Sequence, residues 1–317
     1  MMSSTAVLIP CFNEEATIAK VVTDFRAALP NARIFVYDNN SSDATGDVAR
    51  AAGAVVRFEP LPGKGNVVRR MFADVDADVY ILVDGDDTYD ASRAPELIAQ
   101  VLESKLDMVV GTRIAAPEVA AAYPPGHRFG NAMFTGAVAR LFGDRFTDVF
   151  SGYRAFSRRF VKSFPGLSVG FEIETELTVH TIELRLPTGE IETAYGERPE
   201  GSTSKLNTIR DGLRILSVIG LLYKEVRPSV FFGVPFLLCL LLSLGLGLPL
   251  FVTYFETGVV PRFPTAIAAS GLMVLSWLFL VAGLILDSVA RGRLEMKRMA
   301  YLGLPVPPDA KDSSRQA

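Results

Sequence analysis

The chain has 317 residues and 49% of them are hydrophobic, with 32 Lys and Arg set against 35 Asp and Glu for a formal charge of −3. That length holds one large domain or two ordinary ones. The slight acidity argues against a general nucleic-acid binder, and the two cysteines, Cys11 and Cys239, offer no disulfide framework.

The first 115 residues alternate short β-branched runs with amphipathic patterns, the rhythm of a parallel sheet covered by helices. Strands are predicted at residues 6–9, 33–37, 54–58, 79–83 and 108–110, and helices at 18–29, 45–52, 66–75 and 95–104. The strands run out into polar residues, namely Asn13 and Glu14, Asp38, Asp84, and Thr112 with Arg113. Ligands of open α/β sheets bind beyond such carboxyl ends. Residues 116–202 are less regular, with helices expected at 131–142 and 171–184 and an antiparallel strand at 190–198. The pattern over 205–224 places Leu206, Ile209, Leu213 and Leu216 on one face, as expected of a helix lying in a membrane interface.

No charge occurs from residue 228 to 255 or from 263 to 286. Each gap exceeds the ~20 apolar residues that cross a bilayer core, so a hairpin of two spans is expected. Lys224 and Arg227 precede the first gap, and Arg291, Arg293, Lys297 and Arg298 follow the second, whereas the connection holds only Arg262. This asymmetry puts both ends on the cytoplasmic side. Residues 1–10 lack the basic region of a signal peptide, which also keeps the N-terminal part in the cytoplasm. The tail from Pro305 is polar enough to be expected without fixed structure.

The string Val83-Asp84-Gly85-Asp86-Asp87 sets two carboxylates around a glycine directly after a strand. Hard divalent cations take such oxygen ligands, and Mg²⁺ commonly adds substrate phosphates to one or two carboxylates. An acidic turn capping the next helix through Asp87 or Asp90 would look the same in isolation. His127 and His180 have no companion at zinc-ligand spacing, and neither a Walker motif nor a G-x-G-x-x-G is present.

Taken with Ile9-Pro10-Cys11-Phe12-Asn13-Glu14-Glu15, Tyr37-Asp38-Asn39-Asn40-Ser41-Ser42-Asp43 and Gly63-Lys64-Gly65-Asn66, the acidic string resembles the family 2 glycosyltransferases of GT-A fold. Asp148-Val149-Phe150-Ser151-Gly152-Tyr153-Arg154, Phe171-Glu172-Ile173-Glu174, the string from Gly201 to Asn207 and the two apolar stretches are similar to the polyprenyl-phosphate hexose synthases. The resemblance implies an α/β fold: a Rossmann-like nucleotide-sugar-binding domain over 1–202, then an interfacial helix over 203–227, two transmembrane helices over 228–290 and a cytoplasmic tail over 291–317. It implies inverting transfer of a hexose-type sugar from a nucleotide diphosphate to a polyprenyl phosphate, undecaprenyl or dolichyl, by an integral membrane enzyme using Mg²⁺ or Mn²⁺, and it is compatible with a homo-oligomer.

Carried over by position, Pro10, Asn13, Glu14 and Asp38 face the nucleotide, Lys64 lies near the donor, and Asp84 and Asp86 bind metal and diphosphate. Arg113 and Arg128 match arginines near the acceptor phosphate, and Asn39-Asn40 departs from the Asp-Gly of many members. Independently of the family, guanidinium forks from Arg113, Arg128 or Arg154 suit an acceptor phosphate, Lys205 suits a lipid head group, and Asp148 is a candidate for orientation or base work. Glu172 and Glu174 are expected to bind nearby arginines. A glycan or lipid hydroxyl is the alternative acceptor, and a non-catalytic membrane scaffold is the alternative class.

Overall fold

The structure, a computed structural model, describes residues 3–115, 136, 146–196, 217 and 219–306. These fall into two compact units. One holds the residues up to Ile219 together with those from Lys297 onward, and the other is Gly220–Met296.

The first unit is built on a seven-stranded sheet in the order β3-β2-β1-β4-β6-β5-β7. Its strands are β1 (Thr5–Cys11), β2 (Arg33–Asp38), β3 (Val55–Phe58), β4 (Val79–Leu82), β5 (Met108–Ala115), β6 (Arg154–Ser157) and β7 (Thr188–Tyr195). The central strands read as unbroken apolar runs because helices cover both of their faces. Between them run α1 (Ile18–Ala28), α2 (Thr45–Ala51), α3 (Lys64–Asp74) and α4 (Ala94–Leu102), followed by α5 (Arg158–Ser163) and α6 (Ile173–Leu184). Ile18, Val21, Val22 and Phe25 of α1 sit at helical spacing and are all buried, in the same core as Val7 and Ile9 of β1.

Three features differ from the sequence expectation. β5 continues to Ala115, so Thr112 and Arg113 lie inside a strand and not beyond it. The four residues of β6, buried at every position, carry no alternation to betray a strand, yet they pair antiparallel with both β4 and β5. The segment expected as an antiparallel strand at 190–198 begins at Thr188 and pairs parallel with β5. Alternation reports which face is buried but not strand direction. The expected helix at 131–142, most of that at 205–224 and the end of the tail lie outside the described residues.

Pro10 sits in the central strand β1 without cost to the ladder, because pairing with β4 ends at Leu8. On its other side β1 continues against β2 to Cys11 and Asp38. The β1–β4 ladder ends at Leu8 and Leu82, and the chain leaving β4 stays against the end of β1, and Thr17 Oγ1 donates to the Gly85 carbonyl at 2.7 Å.

The second unit contains α7 (Pro228–Thr257) and most of α8 (Phe263–Leu302), with mean hydropathies of 2.4 and 2.3 over their most apolar windows. Both are long and apolar enough to cross a membrane. Gly258 closes α7 in the left-handed region at φ 71. The two helices pack closely: a side chain at Gly283 would come within 3.2 Å of Phe232 Cβ, and Ser243 donates to the Ala269 carbonyl at 2.7 Å.

Candidate active site

The nucleotide-facing candidates cluster at the β1 and β2 ends. Asn13 adopts a left-handed φ of 53, its amide donates to Ser41 Oγ at 2.9 Å and its Oδ1 accepts from Ser42 N at 2.7 Å. Asp38 Oδ1 accepts from Ser41 N at 2.9 Å. The loop of 39–43 is thereby tied to the β1 end, with Asp38 at its root. Glu14 is buried, its amide donates to Thr45 Oγ1 at 2.8 Å, and its side chain lies beside Gly85.

Asn39 and Asn40 have structural work of their own. Asn39 donates to the carbonyls of Glu59 and Leu61 at 2.9 and 2.8 Å and accepts from Gly63 N at 2.8 Å. Asn40 occupies the left-handed region at φ 64, which asparagine tolerates better than most residues. Together they fasten the β2 end to the segment leading into Lys64.

Gly63 and Gly65 flank Lys64 because no side chain fits there: a Cβ on Gly63 would run into the Val169 carbonyl, and one on Gly65 into that of Ser168. The segment providing those carbonyls is itself held by Glu176, whose carboxylate accepts from Leu167 N at 2.9 Å and Ser168 N at 2.7 Å. Lys64 is thus delivered into the interior, where its Nζ bridges Asp84 Oδ1 and Glu174 Oε1, the latter at 2.5 Å. Burial alone would lower the Lys64 pKa, but the two carboxylates outweigh it and raise it. Burial pushes the Glu174 carboxyl up against the opposing pull of Lys64.

The acidic string lies across this ammonium. Gly85 is required, since a Cβ there would stand 2.7 Å from Cys11 Sγ. Asp86 is buried and accepts from Thr88 Oγ1 at 2.6 Å. The backbone at Gly152 closes over Asp84, leaving no room for a side chain, and Gly152 N donates to Tyr89 Oη at 2.9 Å. Two carboxylates on a constrained turn, one of them partly exposed, match the hard oxygen donors that Mg²⁺ or Mn²⁺ accepts. Asp84 and Asp86 are the residues that would hold such an ion.

Beyond Gly152 lies a second ion pair. Arg113 grips Asp148 with both edges of a fork, Nε to Oδ2 at 2.7 Å and Nη2 to Oδ1 at 2.8 Å, and its ring-facing side lies 5.5 Å from the centre of Tyr195. Burial would raise the Asp148 carboxyl, but the Arg113 fork prevails and holds it below the usual carboxylate range. The Arg113 side chain is 22% exposed.

Two sequence expectations are corrected here. Arg154 is 0% exposed and spends its donors inside the protein, on Ser151 O at 2.9 Å, Val149 O at 2.5 Å and Thr178 Oγ1 at 3.0 Å. It shapes the 148–153 turn and has no surface to offer an acceptor phosphate. Glu174 binds Lys64 and not an arginine, while Glu172 accepts from Gly170 N at 3.1 Å. Arg128 and Lys205 lie outside the described residues. Thr88 and Tyr89 join the site without having been expected; Glu174 and Ser151 stood in the motifs quoted for the resemblance, but spacing did not reveal Lys64 as the partner of Glu174.

Comparison with known proteins bears on this arrangement. The model of the Glycosyl transferase family 2 matches residues 6–164. Glycosyltransferase AglJ of Haloferax volcanii is 36% identical over 258 residues, 79% of this chain and 82% of its own length. A dolichyl-phosphate hexose transferase of the same organism is 30% identical over 153 residues, 48% of this chain and 66% of its own. Glucosyl-3-phosphoglycerate synthase from Mycobacterium tuberculosis, solved with Mn²⁺, UDP-glucose and phosphoglyceric acid, shares the fold with a TM-score of 0.52 and 22% identity over 71% of this chain and 77% of its own.

Proposed function

We propose, from the premise that the chain belongs to glycosyl transferase family 2, that this glycosyltransferase moves a hexose-type sugar from a nucleotide diphosphate to a polyprenyl phosphate at the membrane. The observation that carries the acceptor class is the Arg113–Asp148 pair. A hydroxyl acceptor needs a base whose pKa lies near the working pH. Asp148, committed to a guanidinium and held below the ordinary range, is a weak one. A phosphate monoester needs none, since its second pKa near ~6 leaves it ionised at neutral pH.

In this reading a phosphate oxygen of the acceptor attacks the anomeric carbon, the bond from that carbon to the diphosphate oxygen breaks, and the nucleoside diphosphate departs with the electron pair. Arg113, oriented by Asp148, turns its remaining edge to the acceptor phosphate, to which Arg128 and Lys205 are assigned from the sequence alone. Lys64 stands by the donor diphosphate, and Asn13, Glu14 and Asp38 line the nucleotide end. Asp84 and Asp86 would hold a divalent cation, which when bound would supply Lewis-acid stabilisation to the leaving diphosphate. The two apolar helices fit a lipid acceptor, as does the similarity to a protein named for dolichyl phosphate. They also fit an integral membrane protein with its catalytic unit in the cytoplasm.

The test is conversion of radiolabelled UDP- and GDP-sugars into an organic-extractable product by the full-length protein in detergent. Polyprenyl phosphate should react and the matched polyprenol should be inert, with activity falling as the pH drops through the phosphate's second ionisation near ~6. Equal rates on the bare alcohol or a soluble glycan would replace this acceptor with a hydroxyl.

A further inference from the structure

The buried ion cluster at the centre of the site has one member too many for a simple pair. Lys64 enters from the first turn of α3, Asp84 follows β4, and Glu174 lies in the first turn of α6. The lysine is 9% exposed in its side chain and Glu174 is 5% exposed, whereas Asp84 keeps 28%. The ammonium is therefore divided between a partly exposed acid and a buried one.

We propose that Glu174 is a positioning residue that keeps Asp84 available to a divalent cation, by sharing the Lys64 ammonium that would otherwise be committed to Asp84. The inference rests on the reading of Asp84 and Asp86 as the metal and diphosphate ligands, but is independent of the acceptor. An ammonium and a cation bound at Asp84 compete for the same oxygens, and like charges placed together repel. With a second carboxylate behind it, Lys64 can remain seated while Asp84 turns an oxygen to the metal. Without that carboxylate, the buried ammonium has Asp84 as its one remaining anion in the cluster and holds it harder. Glu174 touches neither metal nor substrate and acts through Lys64.

Purified full-length wild type, Glu174→Gln, Glu174→Asp and the double variant Lys64→Met/Glu174→Gln would be compared in detergent. Free Mn²⁺ is measured by electron paramagnetic resonance and UDP or GDP binding by calorimetry, across a Mn²⁺ titration. Glu174→Gln should raise the Mn²⁺ needed for half-maximal binding by roughly tenfold or more, the scale of one charge-assisted hydrogen bond. Glu174→Asp, which retains the charge, should recover most of the wild-type Mn²⁺ dependence. Removing the ammonium as well should return Mn²⁺ binding toward the wild-type midpoint, although turnover stays low because Lys64 is lost from the donor.

A merely structural Glu174 would lower thermal stability in every variant and leave the Mn²⁺ midpoint in place, which overturns the proposal. Failure of the double variant to reverse the shift also overturns it. Because no acceptor is present, a failed lipid-phosphate assay leaves these results standing. A wild type that binds no Mn²⁺ with either nucleotide removes the metal reading and this inference together.

Discussion

At Asp148 two roles compete, and the geometry separates them. The carboxylate makes a two-bond fork with Arg113 and accepts a third bond from the Arg113 amide at 3.2 Å, so its oxygens are spent on orienting one guanidinium. Asp148→Asn should reduce turnover by about tenfold, the cost of weakening one charge-assisted bond, and leave the shape of the pH–rate profile unchanged. Loss of a general base would instead cost roughly 10²–10⁴-fold and erase the acid limb; steady-state kinetics from pH 5 to 8 separate the outcomes. Local arrangements were legible: Asp84 and Asp86 flank Gly85 directly after a strand, although that string alone reads equally as a helix-capping turn and only the accompanying motifs point to a ligand. Residues defined by distant contacts were not. Arg154 follows the 148–153 turn directly and looks like a surface guanidinium until Ser151, Val149 and Thr178 are seen to enclose it. Lys64 was expected near the donor from the resemblance, but its partner Glu174 on α6 is 110 positions away and no pattern of spacing encodes that meeting.

Among the elements, α6 shows how a helix can serve the site while breaking the amphipathic rule. Buried from Ile173 to Thr181, it has no polar face, and each of its polar groups needs an internal partner. Glu174 and Glu176 find theirs in Lys64 and in the amides at Leu167 and Ser168. His180 does not: neither ring nitrogen has a hydrogen-bond partner among the described residues, and Phe160 and Phe164 each present a ring 5.3 Å from its own. Burial, with a smaller contribution from Lys297, pushes its pKa down from 6.5 to about 3. The folded protein therefore refuses a proton that the unfolded chain accepts. Its stability is complete above the unfolded value of about 6.5 and declines as the pH falls from there toward about 3, by up to roughly 1.4 kcal/mol per pH unit. His180→Phe, which keeps an aromatic ring in the cage, should flatten that slope, as denaturant unfolding at pH 7, 6 and 5 would read out. A slope equal to wild type would mean that His180 is protonated inside the fold. The periodic helices α1 to α4 were legible to within two residues at each end, since one apolar face sufficed to define them. β6 was not, because a four-residue strand buried at every position has no period to detect.

For the molecule as a whole, the sequence separates an α/β half from an apolar hairpin at about residue 227, and the two long helices follow that division. It does not reveal that the last residues of α8 rejoin the first unit. Asp107, 0% exposed at the start of β5, accepts from Tyr301 Oη at 2.7 Å, from Ser157 Oγ at 2.6 Å and from Arg159 Nε at 2.6 Å. The Arg159 guanidinium also lies 4.7 Å from the Tyr301 ring centre, and Lys297 pairs with Glu183 of α6 at 2.7 Å. A tail expected only to follow the second span thus completes a buried acid's hydrogen bonds, which is a tertiary fact without a local signature. The domain bounded at residue 227 should consequently bind nucleotide, whose site precedes it, but be less stable than the same residues in the full chain. Tyr301→Phe in the full-length protein isolates the effect, because it removes one hydroxyl from a buried, charged acceptor and keeps the ring under Arg159. Its expected cost is about 1–3 kcal/mol. Hydrogen exchange across β5 and β6 should accelerate correspondingly, while nucleotide binding in Mn²⁺ stays at the wild-type level. Truncation after Arg227 should accelerate exchange in the same strands by more, since it removes Lys297 as well. If β5 and β6 exchange as slowly in Tyr301→Phe as in the wild type, the helix end contributes nothing to that strand pair, and the boundary at residue 227 marks a domain complete in itself.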